Sequence, residues 1–188
     1  RMALGGVFDA VHGGFSRYAV DAEWHIPHFE KMGYDNGQLI SLYAQAHREE
    51  PKALYQETID KTISFLKKEL YTPEGGFYAA LDADSLNANQ KLVEGAFYVW
   101  TKNEIQELFP KEYLQVAAYY AINDDGYWED GNYVLRRMQT DEVFAKLHGL
   151  ELSELKVKVI SWNVTLLKER NKRARPRLDD KIICSWNA

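Results

Sequence analysis

Cysteine is nearly absent: Cys184 is the single one in 188 residues. One thiol cannot build a disulfide framework or a cysteine-ligated zinc finger, and it fits a reducing compartment. No apolar run approaches the roughly 20 residues that a membrane-spanning helix needs. Positive charge is not in excess. Lys and Arg number 23 against 28 Asp and Glu, a net charge of −5, which argues against general nucleic-acid binding. There is no glycine-rich phosphate loop of the Walker or dinucleotide type. The opening residues carry no apolar signal-peptide core. These absences predict a cytoplasmic protein with no nucleic-acid or membrane partner. Both ends read as interior to a longer chain, since Arg1 precedes Met2 and the last residues are apolar.

Against these absences stands a hydrophobic fraction of 46% with 27% charged residues, ordinary for a folded domain. The 5 Trp, 12 Tyr and 8 Phe residues serve either as core fillers or as a ring-lined concave surface. Asp35 or Asn36 is a plausible N-cap for a helix to about Glu49, with Leu39, Ile40, Leu42, Tyr43 and Ala46 as its apolar stripe. Pro51 suits the first turn of a second helix, to about Leu70, with Ile59, Ile63, Leu66 and Leu70 on one face. The short link predicts an antiparallel αα-hairpin.

Beyond Gly75-Gly76 the pattern changes. Phe97-Tyr98-Val99-Trp100 is the best strand candidate, and Thr101-x-x-Glu104 is a capping box that starts a helix. Pro110 interrupts it, and Tyr113 to Tyr120 reads helical. Asn123-Asp124-Asp125-Gly126 is a turn, and Tyr133-Val134-Leu135 is a short strand candidate. Thr140 and Gly149 bracket another helix. A long helix runs from Ser153 to about Arg173. The cations Lys168, Arg170, Lys172, Arg173, Arg175 and Arg177 at its end complement the helix dipole or form an anion patch.

Two echoes suggest repetition. Gly13-Gly14-Phe15 matches Gly75-Gly76-Phe77, and Tyr34-Asp35-Asn36-Gly37 matches Ser185-Trp186-Asn187-Ala188. Such spacing marks an array of helical pairs, stacked openly or closed as an α/α toroid. An antiparallel hairpin would bring the segments on either side of it to one end. His12, Asp21, Glu23, Trp24, His25, His28 and Glu30 could then approach Asp82, Asp84, Glu94 and Trp100. Paired carboxylates beside rings suit glycoside hydrolysis, and histidine suits proton transfer beside a carbonyl. The competing explanation is that these acids form turns and caps. His25-x-x-His28-x-Glu30 offers metal-ligand residue types, but Pro27 disfavours a regular presentation, so no metal or cofactor is expected.

Several ordered motifs then carry a resemblance. They are Gly5-Gly6-Val7-Phe8-Asp9, Trp24-His25-Ile26-Pro27-His28-Phe29-Glu30-Lys31-Met32, Gly75-Gly76-Phe77-Tyr78 with Asp82-Ala83-Asp84-Ser85, and Glu94-Gly95 with Phe97-Tyr98-Val99-Trp100-Thr101. Asp179-Asp180-Lys181-Ile182 and Ser185-Trp186-Asn187 complete the set. The chain resembles the spermatogenesis-associated protein 20 family of thioredoxin-domain-containing proteins over nearly its whole length. That resemblance implies a fragment, residues 1–188, of one α/α toroid similar to six-hairpin glycosidases and sugar epimerases. The thioredoxin-like domain would be a partner within the same longer chain. The expected fold is mainly α, a partial toroid of helical hairpins with a small β-containing insertion between about Gly75 and Leu135. The expected function is an uncharacterised, carbohydrate-active domain of hydrolase or epimerase type; its rival is a non-catalytic scaffold. Candidate catalytic residues are His28, Glu30, Asp35, Asp82 and Asp84; candidate substrate contacts are Arg17, Trp24 and Trp100. A partial toroid would expose apolar helix faces and so self-associate.

Overall fold

A computed structural model describes residues 1–187. Ala188, the last residue of the second echo, lies outside them. In chain order the elements are β1 (Tyr18–Ala19), β2 (Pro27–His28), β3 (Lys31–Met32), α1 (Gly33–Glu49), α2 (Ala53–Glu69), β4 (Ala80–Leu81), β5 (Asp84–Leu86) and β6 (Leu92–Glu94). They continue as β7 (Trp100–Thr101), α3 (Lys102–Leu108), α4 (Tyr113–Tyr119), β8 (Asn132–Tyr133), α5 (Asp141–Leu147), α6 (Leu152–Arg170) and β9 (Leu178–Asp179). One-turn 3-10 helices occupy Met2–Leu4 and Cys184–Trp186. With 43% helix and 13% strand, the fold is mixed and helix-rich.

The expected hairpin is present: α1 and α2 pack together across the link 50–52. Its open end gathers the two Gly-Gly-Phe segments. Gly13 and Gly14 have φ of +83° and +80°, which side chains other than glycine's rarely tolerate. A Cβ on Gly14 would stand 2.5 Å from the Phe65 ring near the end of α2. At the start of α1, the Asn36 amide clasps Phe15: its Oδ1 accepts the Phe15 N–H (2.7 Å), and its Nδ2 donates to the Phe15 carbonyl (3.0 Å). Nδ2 also reaches the Met32 carbonyl four residues back (2.8 Å). Asn187 does the same for the second segment, accepting from Phe77 N–H (2.6 Å) and donating to the carbonyls of Phe77 and Ile183 (both 3.1 Å). Both echoes in the sequence thus belong to one repeated clasp. Asn36 is fully buried, whereas Asn187 is exposed.

The helix starts differ from expectation. α1 begins at Gly33 with Met32 as N-cap, because Asn36 is occupied by Phe15 and Asp35 sits inside the first turn. α2 begins at Ala53, two residues after Pro51. Its buried face is Thr58, Thr62, Phe65 and Leu66, the threonine hydroxyls being satisfied by carbonyls four residues earlier (both 2.7 Å). The strand expected over Phe97–Trp100 is reduced to Trp100–Thr101. The carbonyls of Phe97 and Val99 accept instead from the Arg173 guanidinium (3.1 and 2.6 Å). The capping box of Thr101 and Glu104 is present. Gly149 follows α5 with φ +64°.

β4 lies between β3 and β9, antiparallel to both, with Leu81 opposite Lys31 on one side and Leu178 on the other. The chain therefore leaves this small sheet at residue 82 and returns at 177. The excursion holds β5 to β8 and also α3 to α6, so it is larger and more helical than the expected insertion. Its core of Trp100, Ile105, Val116, Tyr120, Leu155 and Trp162 also takes in Ala10 and Val11 from the N-terminal segment.

A buried ion cluster fastens the excursion to the hairpin end. Asp9 accepts from Lys31 Nζ (2.9 Å) and from both terminal nitrogens of Arg170 (3.0 and 2.9 Å). Lys31 and Arg170 are 2% and 1% exposed. Burial alone would raise the Asp9 pKa, but Arg170 and Lys31 outweigh it and hold the carboxyl far below the usual range. The other cations that follow α6 are also paired, Arg173 with Glu104, Arg175 with Glu69 and Arg177 with Asp82. They form neither a free anion patch nor simple dipole partners.

Candidate functional site

The hairpin end carries a cluster on β2, β3 and the strands beside them. His28 is the second residue of β2, paired across from Tyr18 of β1, and the two rings stack at 4.9 Å. Its Nδ1 lies 2.8 Å from Glu94 Oε1, and its Nε2 lies 3.9 Å from Glu30 Oε2. The ring is thus braced between two carboxylates. Arg17 reaches the same Glu30 oxygen at 3.2 Å. Asp84 stands opposite Glu94 in the β5–β6 ladder, a spacing that puts both side chains on one face. Asp35, in the first turn of α1, has a pKa raised chiefly by burial, with Glu30 adding to the shift and Arg17 opposing it. Its buried Oδ2 has no hydrogen-bond partner. Glu30, paired with Arg17, and the partly buried Asp35, whose carboxyl feels both of their charges, are thus carboxylates in unlike environments.

Of the candidates, Arg17, Glu30 and His28 are in contact, joined by Glu94; Asp84 faces Glu94 across its ladder, and Asp35 lies within the electrostatic reach of Arg17 and Glu30. Asp82 is drawn aside: its Oδ2 pairs with Arg177 at 3.0 Å, closing the base of the excursion. Trp24 sits on the loop between β1 and β2, with φ +61° and its backbone against Gly5, apart from the His28 contacts. Trp100 is corrected outright: it is 0% exposed in the core of the excursion, with Arg173 4.0 Å over its ring, and offers no platform to a ligand. Asp21 follows the turn-forming alternative, its carboxylate accepting from the N–H groups of Glu23, His25 and Ile26. Among the described residues no group of three or more His, Cys, Asp or Glu side chains is placed to hold a metal ion. His25 faces Gly126 and Arg136 instead, and its pKa is lowered, mainly by burial.

A cleft of about 860 Å³ opens beside the cluster, with Glu94 on its wall. Asn87, Asn89, Gln90 and Asn132 supply side-chain amides, and Trp128 supplies a half-buried ring. Glu94 was placed at the rim from sequence but not among the candidate catalytic residues, and Trp128 was not singled out. Glu94 becomes a partner of His28 only through a contact spanning 66 residues. The available signal was the short run around Leu92–Glu94 followed by Gly95, which places Glu94 at the end of a hairpin strand.

These features define a helix-rich domain built on a helical hairpin, with a surface acid–base cluster at the hairpin's open end. No family model matches the chain. It is 38% identical over 98% of its length to an uncharacterised protein of Caenorhabditis elegans. It is 34% and 33% identical, over 99%, to spermatogenesis-associated protein 20 of Homo sapiens and Mus musculus. Over nearly its whole length the chain is therefore homologous to one segment of spermatogenesis-associated protein 20. It spans 26–28% of the length of these relatives. No helix among the described residues is long and apolar enough to cross a membrane.

Proposed function

We propose that the His28 cluster is an acid–base site for a small polyhydroxylated ligand of the carbohydrate class, within a longer protein whose helical hairpins form an α/α toroid. The observation that carries the proposal is the imidazole of His28 held between Glu30 and Glu94, with Glu94 also on the wall of the neighbouring amide-bearing cleft. Amide and carboxylate groups beside a ring suit hydroxyl recognition, and a braced histidine suits proton transfer. Asp35, with its raised pKa, is the carboxyl best suited to carry a proton. The repeated asparagine clasp supports the toroid, because it sets equivalent helix starts against equivalent Gly-Gly-Phe segments.

The test uses the full-length protein and a panel of sugars. His28→Ala and Glu30→Ala should each abolish turnover, whereas Asp82→Asn, which loses only the Arg177 pair, should retain it. Unchanged turnover in the His28 variant overturns the site. A scaffold role is the second possibility, favoured by the Arg17–Glu30 and Arg177–Asp82 pairs and by the turn-forming Asp21. A scaffold predicts no turnover of any sugar, with loss of association to the thioredoxin-like domain when Arg17 is changed.

A further inference from the structure

The longest helix, α6, has two apolar faces. One is the core face, with Leu155, Val159, Trp162 and Leu166 buried. The other points outward: Val157, Ile160 and Val164 are 68%, 65% and 63% exposed. Their spacing of three and then four is the a–d–a stripe of a coiled-coil seam. Only an element of matching length and period covers such a stripe.

The flanking charges indicate which element. Glu154 and Lys168 lie at equivalent positions on one side of the stripe, fourteen residues apart, with Ser161 midway between them. Both charged residues are exposed. In an antiparallel pairing, residues of this flank face the same flank of the partner helix. A two-fold axis beside Ser161 therefore sets each Glu154 against the partner's Lys168, and each Ile160 against the partner's Val164. The pattern is self-complementary, as an isologous contact requires. Next to the stripe, between α2 and α6, a recess of about 280 Å³ lined by Leu54, Val159 and Ile160 gives room for an apolar side chain.

We propose that this face binds a second copy of the same chain, through antiparallel α6–α6 pairing about Ser161. The apolar stripe supplies the attraction, and the Glu154–Lys168 pairs fix the direction. The proposal does not rest on the His28 site.

The test is sedimentation equilibrium of the full-length protein over a range of concentrations, with circular dichroism as a check on folding. The parent chain should show a monomer–dimer equilibrium. Ile160→Glu should abolish the dimer at every concentration reached. Glu154→Lys and Lys168→Glu should each weaken it about tenfold by opposing like charges. Glu154→Lys with Lys168→Glu should restore it, because the pairs are re-formed with the signs exchanged. All three positions face solvent, so the circular dichroism spectrum should not change. A parent chain that stays monomeric overturns the proposal. So does a dimer indifferent to both single charge reversals, or a double reversal that fails to rescue.

Discussion

Asp9→Asn isolates the buried ion cluster. The substitution keeps the volume and removes the charge that faces Lys31 and Arg170, both almost wholly buried. Two cations are then left in a low-dielectric interior. Breaking a buried pair by removing one partner costs about 3–5 kcal/mol. Domains are stable by only about 5–15 kcal/mol, so the loss is a large fraction of the total. At roughly 2–4 °C per kcal/mol for a chain of this size, the melting temperature should fall by about 6–20 °C. Urea and thermal unfolding followed by circular dichroism measure it. The pH dependence adds a second signature. The carboxyl pKa is depressed in the folded state below its ordinary 3.8, so its stabilisation is complete above that value and drains away as pH falls toward the folded value. The gap between parent and variant should therefore narrow below about pH 4. Replacing all three groups, Asp9→Leu with Lys31→Met and Arg170→Met, should recover much of the loss, since no charge is left stranded. A single variant that loses less than about 1 kcal/mol, with an unchanged acid limb, would refute the assignment of these contacts as a coupled buried cluster.

His12 lies beside the same cluster, and its pKa is pushed down to about 4, mainly by burial. The unfolded chain binds this proton from pH 6.5 downward, so the contribution to stability is full above 6.5 and lost as pH falls toward 4. His12→Gln should flatten the stability profile in that window, as read by urea midpoints at stepped pH. The two clasps predict unequal costs. Asn36→Ala strands buried backbone groups of Phe15 and Met32 and should cost about 2–4 kcal/mol. Asn187→Ala exposes its partners to water and should cost less than about 1 kcal/mol, measured the same way.

Features set by neighbouring residues were legible in the sequence. The Thr101–Glu104 capping box, the Gly149 helix end and the α1–α2 hairpin each depend on a few adjacent residues. The Gly-Gly-Phe and asparagine echoes were also visible, because one backbone geometry demands the same residues twice. The ion cluster was not. Asp9 meets Lys31 across 22 residues and Arg170 across 161, and charged residues ordinarily face water. Arg170 looked like one more cation at a helix end. Trp100 failed as a platform for a related reason: its sequence neighbours do not reveal that Arg173 closes over the ring. Of the candidate site, Arg17, His28, Glu30, Asp35 and Asp84 were proposed from their place in the glycine–aromatic segments, and the Arg17–Glu30 and His28–Glu30 contacts agree with that grouping. The role of Glu94 as the hydrogen-bond partner of His28 needed the fold.

Because β4 and β9 are neighbours, the chain exits and re-enters the small sheet about one strand spacing apart, roughly 5 Å. Residues 82–177 thus behave as a cassette hung from two adjacent threads. In principle a tight turn could bridge Leu81 to Leu178 and leave the sheet beneath it continuous. Arg170, locked onto Asp9, is one of several ties that oppose such modularity, along with Arg137 on Glu57, Arg175 on Glu69 and Glu94 on His28. Grafting the cassette elsewhere, or trimming it away, therefore requires new partners for Asp9, Glu57, Glu69 and His28 in the piece left behind.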